Sequence, residues 1–144
     1  MRNLYLTLVL ALTAYVSSMA ANLDDVISEA YSAYDEGEYA EMQSMCDSLY
    51  ENWDNASFAN KCDIAILYYG LFDAYEQSPY YARNYERFME CFNKADKENH
   101  EECKAYIDSI DEGFYDDLVS IMKYMESLGI REKLDIINKV KTEK

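Results

Sequence analysis

Apolar residues recur along this chain every three or four positions. Tyr39, Met42, Cys46, Leu49, Tyr50 and Trp53 fall on one helical face, and so do Tyr81, Tyr85, Phe88, Phe92 and Ala95. Phe114, Leu118, Ile121, Met122, Met125 and Leu128 form a third stripe; Ile130, Leu134, Ile137 and Val140 form a fourth. This is the period of an amphipathic helix, with no run of strand alternation. Punctuation agrees with it. Asn22 with Asp25, Ser78 before Pro79, and Asn99 with Glu102 read as helix starts, and Leu128-Gly129 as a helix stop. The pattern predicts helices over 23–36, 38–53, 57–76, 79–96, 100–112, 114–128 and 130–142.

Segments also repeat. Asp35-Glu36-Gly37-Glu38-Tyr39 returns as Asp111-Glu112-Gly113-Phe114-Tyr115, and Ala74 to Tyr81 is a longer version of the same turn. Two helices per unit, at a period in the high thirties, describe a stacked helical repeat. Ala30, Tyr34, Gly37 and Tyr39, with Tyr69-Gly70 in the next unit, resemble the tetratricopeptide repeat family over residues 23–128. The resemblance implies about three antiparallel helical hairpins and a C-terminal helix. It also implies a concave groove that binds a peptide or protein without chemistry of its own.

The N-terminus reads as an address. Met1-Arg2-Asn3 is weakly basic, Leu4 to Val16 is almost wholly apolar, and Ser18 and Ala20 are small residues at peptidase-read positions. This is the layout of a secretory signal peptide cut after Ala20. Its apolar core is too short to span a bilayer as an anchor. The expectation is a leader over 1–20 and one helical-repeat domain over 21–144, secreted or periplasmic, without stable membrane insertion.

Charge narrows the partners. The chain carries 28 Asp and Glu against 13 Lys and Arg, a net charge of −15. That balance argues against nucleic-acid binding, which needs clustered positive charge. Residues 21–60 hold ten acids and no Lys or Arg. One reading is a solvated face. The other is a docking surface for a basic partner, centred on Asp24, Asp25, Asp35, Glu36, Glu38 and Glu41. Tyrosine is the second unusual feature, with 15 in the chain. Tyr68, Tyr75, Tyr80 and Tyr81 cluster around the middle turn and are candidates for an aromatic groove. Lys139, Lys141 and Lys144 give the tail the opposite charge, so it is a candidate to fold back onto the acidic hairpin.

Four cysteines, Cys46, Cys62, Cys91 and Cys103, allow three disulfide pairings. The hairpin geometry favours Cys46–Cys62 and Cys91–Cys103, because each pair is centred on a polar turn. A zinc site from Cys91, His100 and Cys103 lacks a fourth ligand and the usual paired spacing. His100 is the only histidine, and there is no phosphate loop, nucleophile elbow or zinc-protease motif. Asp108 to Gly113 suggests a calcium loop but has the wrong acid spacing. Asn55-Ala56-Ser57 is a glycosylation sequon in a turn.

The expectation is therefore a non-catalytic binding module that uses no cofactor or metal. It would hold a protein or peptide with a basic surface, as an inhibitor or immunity-type protein does. The competing expectation is a secreted carrier of a small apolar ligand, which would need an enclosed cavity.

Overall fold

A computed structural model of the protein describes residues 22–129. The leader with its cut after Ala20, the helix expected over 130–142 and the basic tail lie outside the described residues. Six helices follow in order: α1 (Leu23–Asp35), α2 (Tyr39–Glu51), α3 (Phe58–Ala74), α4 (Tyr81–Glu98), α5 (His100–Ile110) and α6 (Phe114–Ser127). A 3-10 turn, Trp53–Asn55, precedes α3, and there is no strand among the described residues. The fold is all-α, as the spacing predicts, and α1–α2, α3–α4 and α5–α6 pack as successive hairpins. No helix among the described residues is long and apolar enough to cross a membrane.

The turns follow from their residues. Gly37 adopts φ +73°, a left-handed conformation that costs glycine nothing. Its N–H donates to the Tyr34 carbonyl at 3.1 Å, and the Glu38 N–H donates to Ala33 at 2.8 Å. This Schellman arrangement stops α1 and turns the chain into α2. Gly113 has nearly the same φ, +78°, but here it opens α6. The Tyr115 N–H donates to the Asp108 carboxylate at 3.0 Å, so the stretch that suggested a calcium loop is a helix boundary.

The Asn99 side chain caps α5: its amide oxygen accepts from the Glu102 N–H and its amide nitrogen donates to the Glu102 carboxylate, both at 3.2 Å. Ser57 caps α3 by accepting from the Asn60 N–H. The expected start at Ser78-Pro79 is displaced. The Ser78 hydroxyl accepts from the Tyr80 N–H at 3.0 Å, tightening a turn, and α4 begins at Tyr81.

Helix α3 is the axis of the molecule. Every residue from Cys62 to Tyr68 is buried, with Leu71 and Phe72. A helix apolar all round must be enclosed, and α1, α2, α4 and α5 all pack against it. Two polar anchors set where they sit. Asp63 accepts from the Tyr31 hydroxyl of α1 at 2.9 Å and from the Tyr106 hydroxyl of α5 at 2.8 Å. Tyr68 donates to Asp47 of α2 at 2.7 Å and accepts from Arg87 of α4 at 3.0 Å. Five residues along a helix is roughly 140° of rotation. Asp63 and Tyr68 therefore face apart, placing α1 and α5 on one side of α3 and α2 and α4 on the other.

Asp47 also binds Arg83 at 2.7 Å and Arg87 at 2.9 Å. Beside it, Gln43 and Asn84 exchange two buried amide hydrogen bonds, at 2.9 and 2.8 Å. Removing Asp47 leaves two guanidinium groups without their carboxylate between packed helices. We expect Asp47→Ala to cost about 2–3 kcal/mol in urea unfolding. Asp47→Asn, which keeps an acceptor, should cost less; equal losses would show that the neutral acceptor contributes nothing and that the charge alone matters.

Candidate functional site

The carboxyl ends of α1, α3 and α5 meet at a cleft of about 220 Å3. Tyr31, Tyr34, Tyr69, Ile110 and Phe114 line it, with Met42 and Gly70 contributing and Asp35 beside them. Gly70 permits the close approach at its centre. A Cβ there would lie 3.3 Å from the Tyr34 ring and 3.5 Å from the Met42 methyl. Tyr34 is 36% exposed and Ile110 46%, so the apolar lining reaches solvent.

A row of tyrosines leads outward from the cleft. Tyr34 packs on Tyr39 with ring centres 6.2 Å apart, and Tyr39 packs on Tyr75 at 5.8 Å. Tyr39 and Tyr75 border a second, shallower hollow with Gly37, Glu38 and Glu41.

Acids rim both hollows. Asp35, Glu36, Glu38 and Glu41 are exposed at the α1–α2 turn, because α1 ends and α2 begins on polar residues. None of the four forms an ion pair among the described residues. Their crowding has a measurable consequence. The Glu38 carboxyl is raised above its ordinary range by a hydrogen bond with Glu41, then by the charges of Glu41 and Glu36. The Tyr34 phenol is also raised, first by burial and then by Asp73, Tyr39 and Asp35. Burial and then Asp73 do the same to Tyr69, with smaller contributions from Tyr34 and Asp117. The cleft is aromatic inside and negative at its edge.

The residues singled out from the sequence divide. Asp35, Glu36, Glu38, Glu41 and Tyr75 come together here. Asp24 and Asp25 are exposed in the first turn of α1, about 15 Å away along the helix. Tyr80 is exposed but stacks under the Arg83 guanidinium at 4.1 Å. Tyr68 and Tyr81 are not surface residues. Tyr68 is fully buried, and Tyr81 stacks on Phe72 at 5.0 Å. Proximity to a turn in sequence misplaced them, since the rotation of each residue about its helix decides which way it faces.

Tyr34, Tyr39, Tyr69, Ile110 and Phe114 are among the lining residues, with Tyr31 and Met42, that the sequence did not mark as a site. The repeated Gly turn was their signal, since Tyr39 and Phe114 follow Gly37 and Gly113 closely.

The cysteines require a correction. All four are buried free thiols, and neither Cys46–Cys62 nor Cys91–Cys103 is bonded. Equal distance from a turn sets the height of a residue on its helix but not its direction. Cys62 is in hydrogen-bond contact with Cys103, and Cys46 lies within electrostatic reach of Cys91. His100 is exposed and 2.7 Å from Asp96. No cluster of three or more potential metal ligands occurs among the described residues.

A groove of about 870 Å3 between α4 and α6 is lined by Tyr85, Met89, Phe92, Tyr115, Val119 and Met122, and is open to solvent. A polar recess over Asp63, Tyr31 and Tyr106 opens beside Asp24.

No family model matches this chain, and no curated protein or solved structure is significantly similar to it.

Asp63 in that recess gives a pH test. Burial raises its carboxyl above the ordinary range, partly offset by the Tyr106 and Tyr31 hydroxyls. The folded state therefore holds the proton more tightly than the unfolded state, and this contribution grows as pH falls through the folded value toward the unfolded one. Wild type should gain stability relative to Asp63→Asn as pH drops from neutral through the carboxylate range, read from urea midpoints. A difference that is flat with pH would contradict this placement.

Proposed function

We propose that the protein is an exported, non-catalytic binding module whose tyrosine cleft receives a basic segment of a protein or peptide. The observation that carries the reading is the row Tyr34–Tyr39–Tyr75 rimmed by four acids without basic partners among the described residues. A lysine or arginine side chain gains there twice. Its cation meets the aromatic face at about 0.5–1 kcal/mol per exposed contact, and the acids attract it from a distance. The apolar floor of Ile110 and Phe114 would take a neighbouring aliphatic side chain.

Like charge crowded at one turn opposes folding, and a cationic partner removes that cost. The hairpins and the cleft at the ends of α1, α3 and α5 support the tetratricopeptide-like reading of the chain. The leader over 1–20 supports a periplasmic or extracellular setting. Within this reading, blocking a basic enzyme or toxin is the specific role that the acidity and small size favour.

Fluorescence anisotropy with a labelled peptide rich in arginine and lysine tests it. Replacing Asp35, Glu36, Glu38 and Glu41 together by Asn or Gln should weaken binding about tenfold or more, at a few tenths of a kcal/mol per charge. Tyr39→Ala should weaken it several-fold. Neutralising Asp24 and Asp25 should change little. Affinity should also fall as pH drops, because the raised Glu38 takes up a proton early and the rim loses charge. Equal losses from both acid sets, or indifference to Tyr39→Ala, would refute the cleft as the site.

A further inference from the structure

We infer that Cys62 and Cys103, free thiols in this structure, become on oxidation the partners of a disulfide that joins α3 to α5, linking one hairpin to the next. Helices α3 and α5 pack together, and the Tyr106–Asp63 hydrogen bond at 2.8 Å holds them at one level. Cys62 precedes Asp63, and Cys103 lies one turn before Tyr106, so the two cysteines sit at one level along the α3–α5 contact. Both side chains are fully buried, and the two thiols lie against each other. Contact with Cys62 lowers the Cys103 thiol against the opposing effect of burial.

The other two cysteines follow the same logic. Asp47, next to Cys46, is held by Arg87, one turn before Cys91, at 2.9 Å. Cys46 is correspondingly level with Cys91 and lies within electrostatic reach of it.

The chemistry needs a two-electron oxidant, and a small disulfide such as oxidised glutathione supplies it. The Cys103 thiolate attacks one glutathione sulfur, forming a mixed disulfide and expelling one glutathione thiolate. Cys62 then loses its proton and attacks the Cys103 sulfur, expelling the second glutathione. One protein S–S bond forms from two S–H groups, and the oxidant's S–S bond becomes two thiols. Both sulfurs are enclosed in the folded state, so the exchange belongs to the folding chain, before α5 closes over α3.

The test is a peptide map of the full chain. The reduced protein is refolded in a glutathione redox buffer, blocked with iodoacetamide and digested with trypsin without reduction. Cleavage at Lys61, Arg87, Lys94 and Lys97 puts each cysteine on its own peptide. The expected result is a covalent link between the peptides holding Cys62 and Cys103. The oxidised protein should also melt on the order of 10 °C higher than the reduced one, as expected for closing a loop of about forty residues. Cys103→Ser should shrink that difference, and in a chain that also carries Cys46→Ser it should abolish it. A Cys46–Cys62 or Cys91–Cys103 link, or alkylation of all four thiols, would overturn the proposal.

Discussion

One constraint organises this molecule: α3 has almost no face suited to water, so the other helices must wrap it. Apolar contact alone would leave their positions loosely defined, because hydrophobic packing is non-directional. The two polar anchors supply direction. Asp63 claims a tyrosine from each of α1 and α5, and Tyr68 claims Asp47 of α2 and Arg87 of α4. Each is a buried polar group that must be satisfied. Each therefore selects one register for two neighbouring helices.

The cleft is a consequence of that arrangement. With α1 and α5 on the same side of α3, their carboxyl ends converge with that of α3, and Gly70 leaves the space that Tyr34 enters. The charge pattern follows too. Arg83 and Arg87 are held inward by Asp47, and Arg87 also lies over the Tyr50 ring at 4.0 Å. Their charge is used between helices. The acids of the α1–α2 turn are left uncompensated, and those acids meet the tyrosine row.

Much of the fold was legible in the sequence, and the reason is periodicity. The stripes on α2, α4 and α6 predicted those helices to within a few residues, and Asn99 with Glu102 predicted a cap that forms. Acids at Asp35 to Glu41 were legible because a Gly turn leaves its flanking polar residues exposed. What the sequence withheld was direction around each helix. Tyr68 and Tyr69 are neighbours on α3, about 100° apart around it, yet Tyr68 is buried against Asp47 and Tyr69 lines the cleft. The disulfide pairing failed for the same reason: counting from a turn gives height, and a bond also needs facing. The continuous run from Ile64 to Tyr69 was the available signal for a fully enclosed helix, and it was read only as one more helix.

The central claim is that cations are received at the tyrosine row and not by acidity in general. Backbone amide chemical shifts of the full chain, titrated with an arginine- and lysine-rich peptide at moderate salt, test it most directly. The account predicts that shifts concentrate on residues 34–41, 69–76 and 110–114. Shifts spread over every acidic surface, including Asp24, Asp25, Glu101 and Glu102, would contradict it.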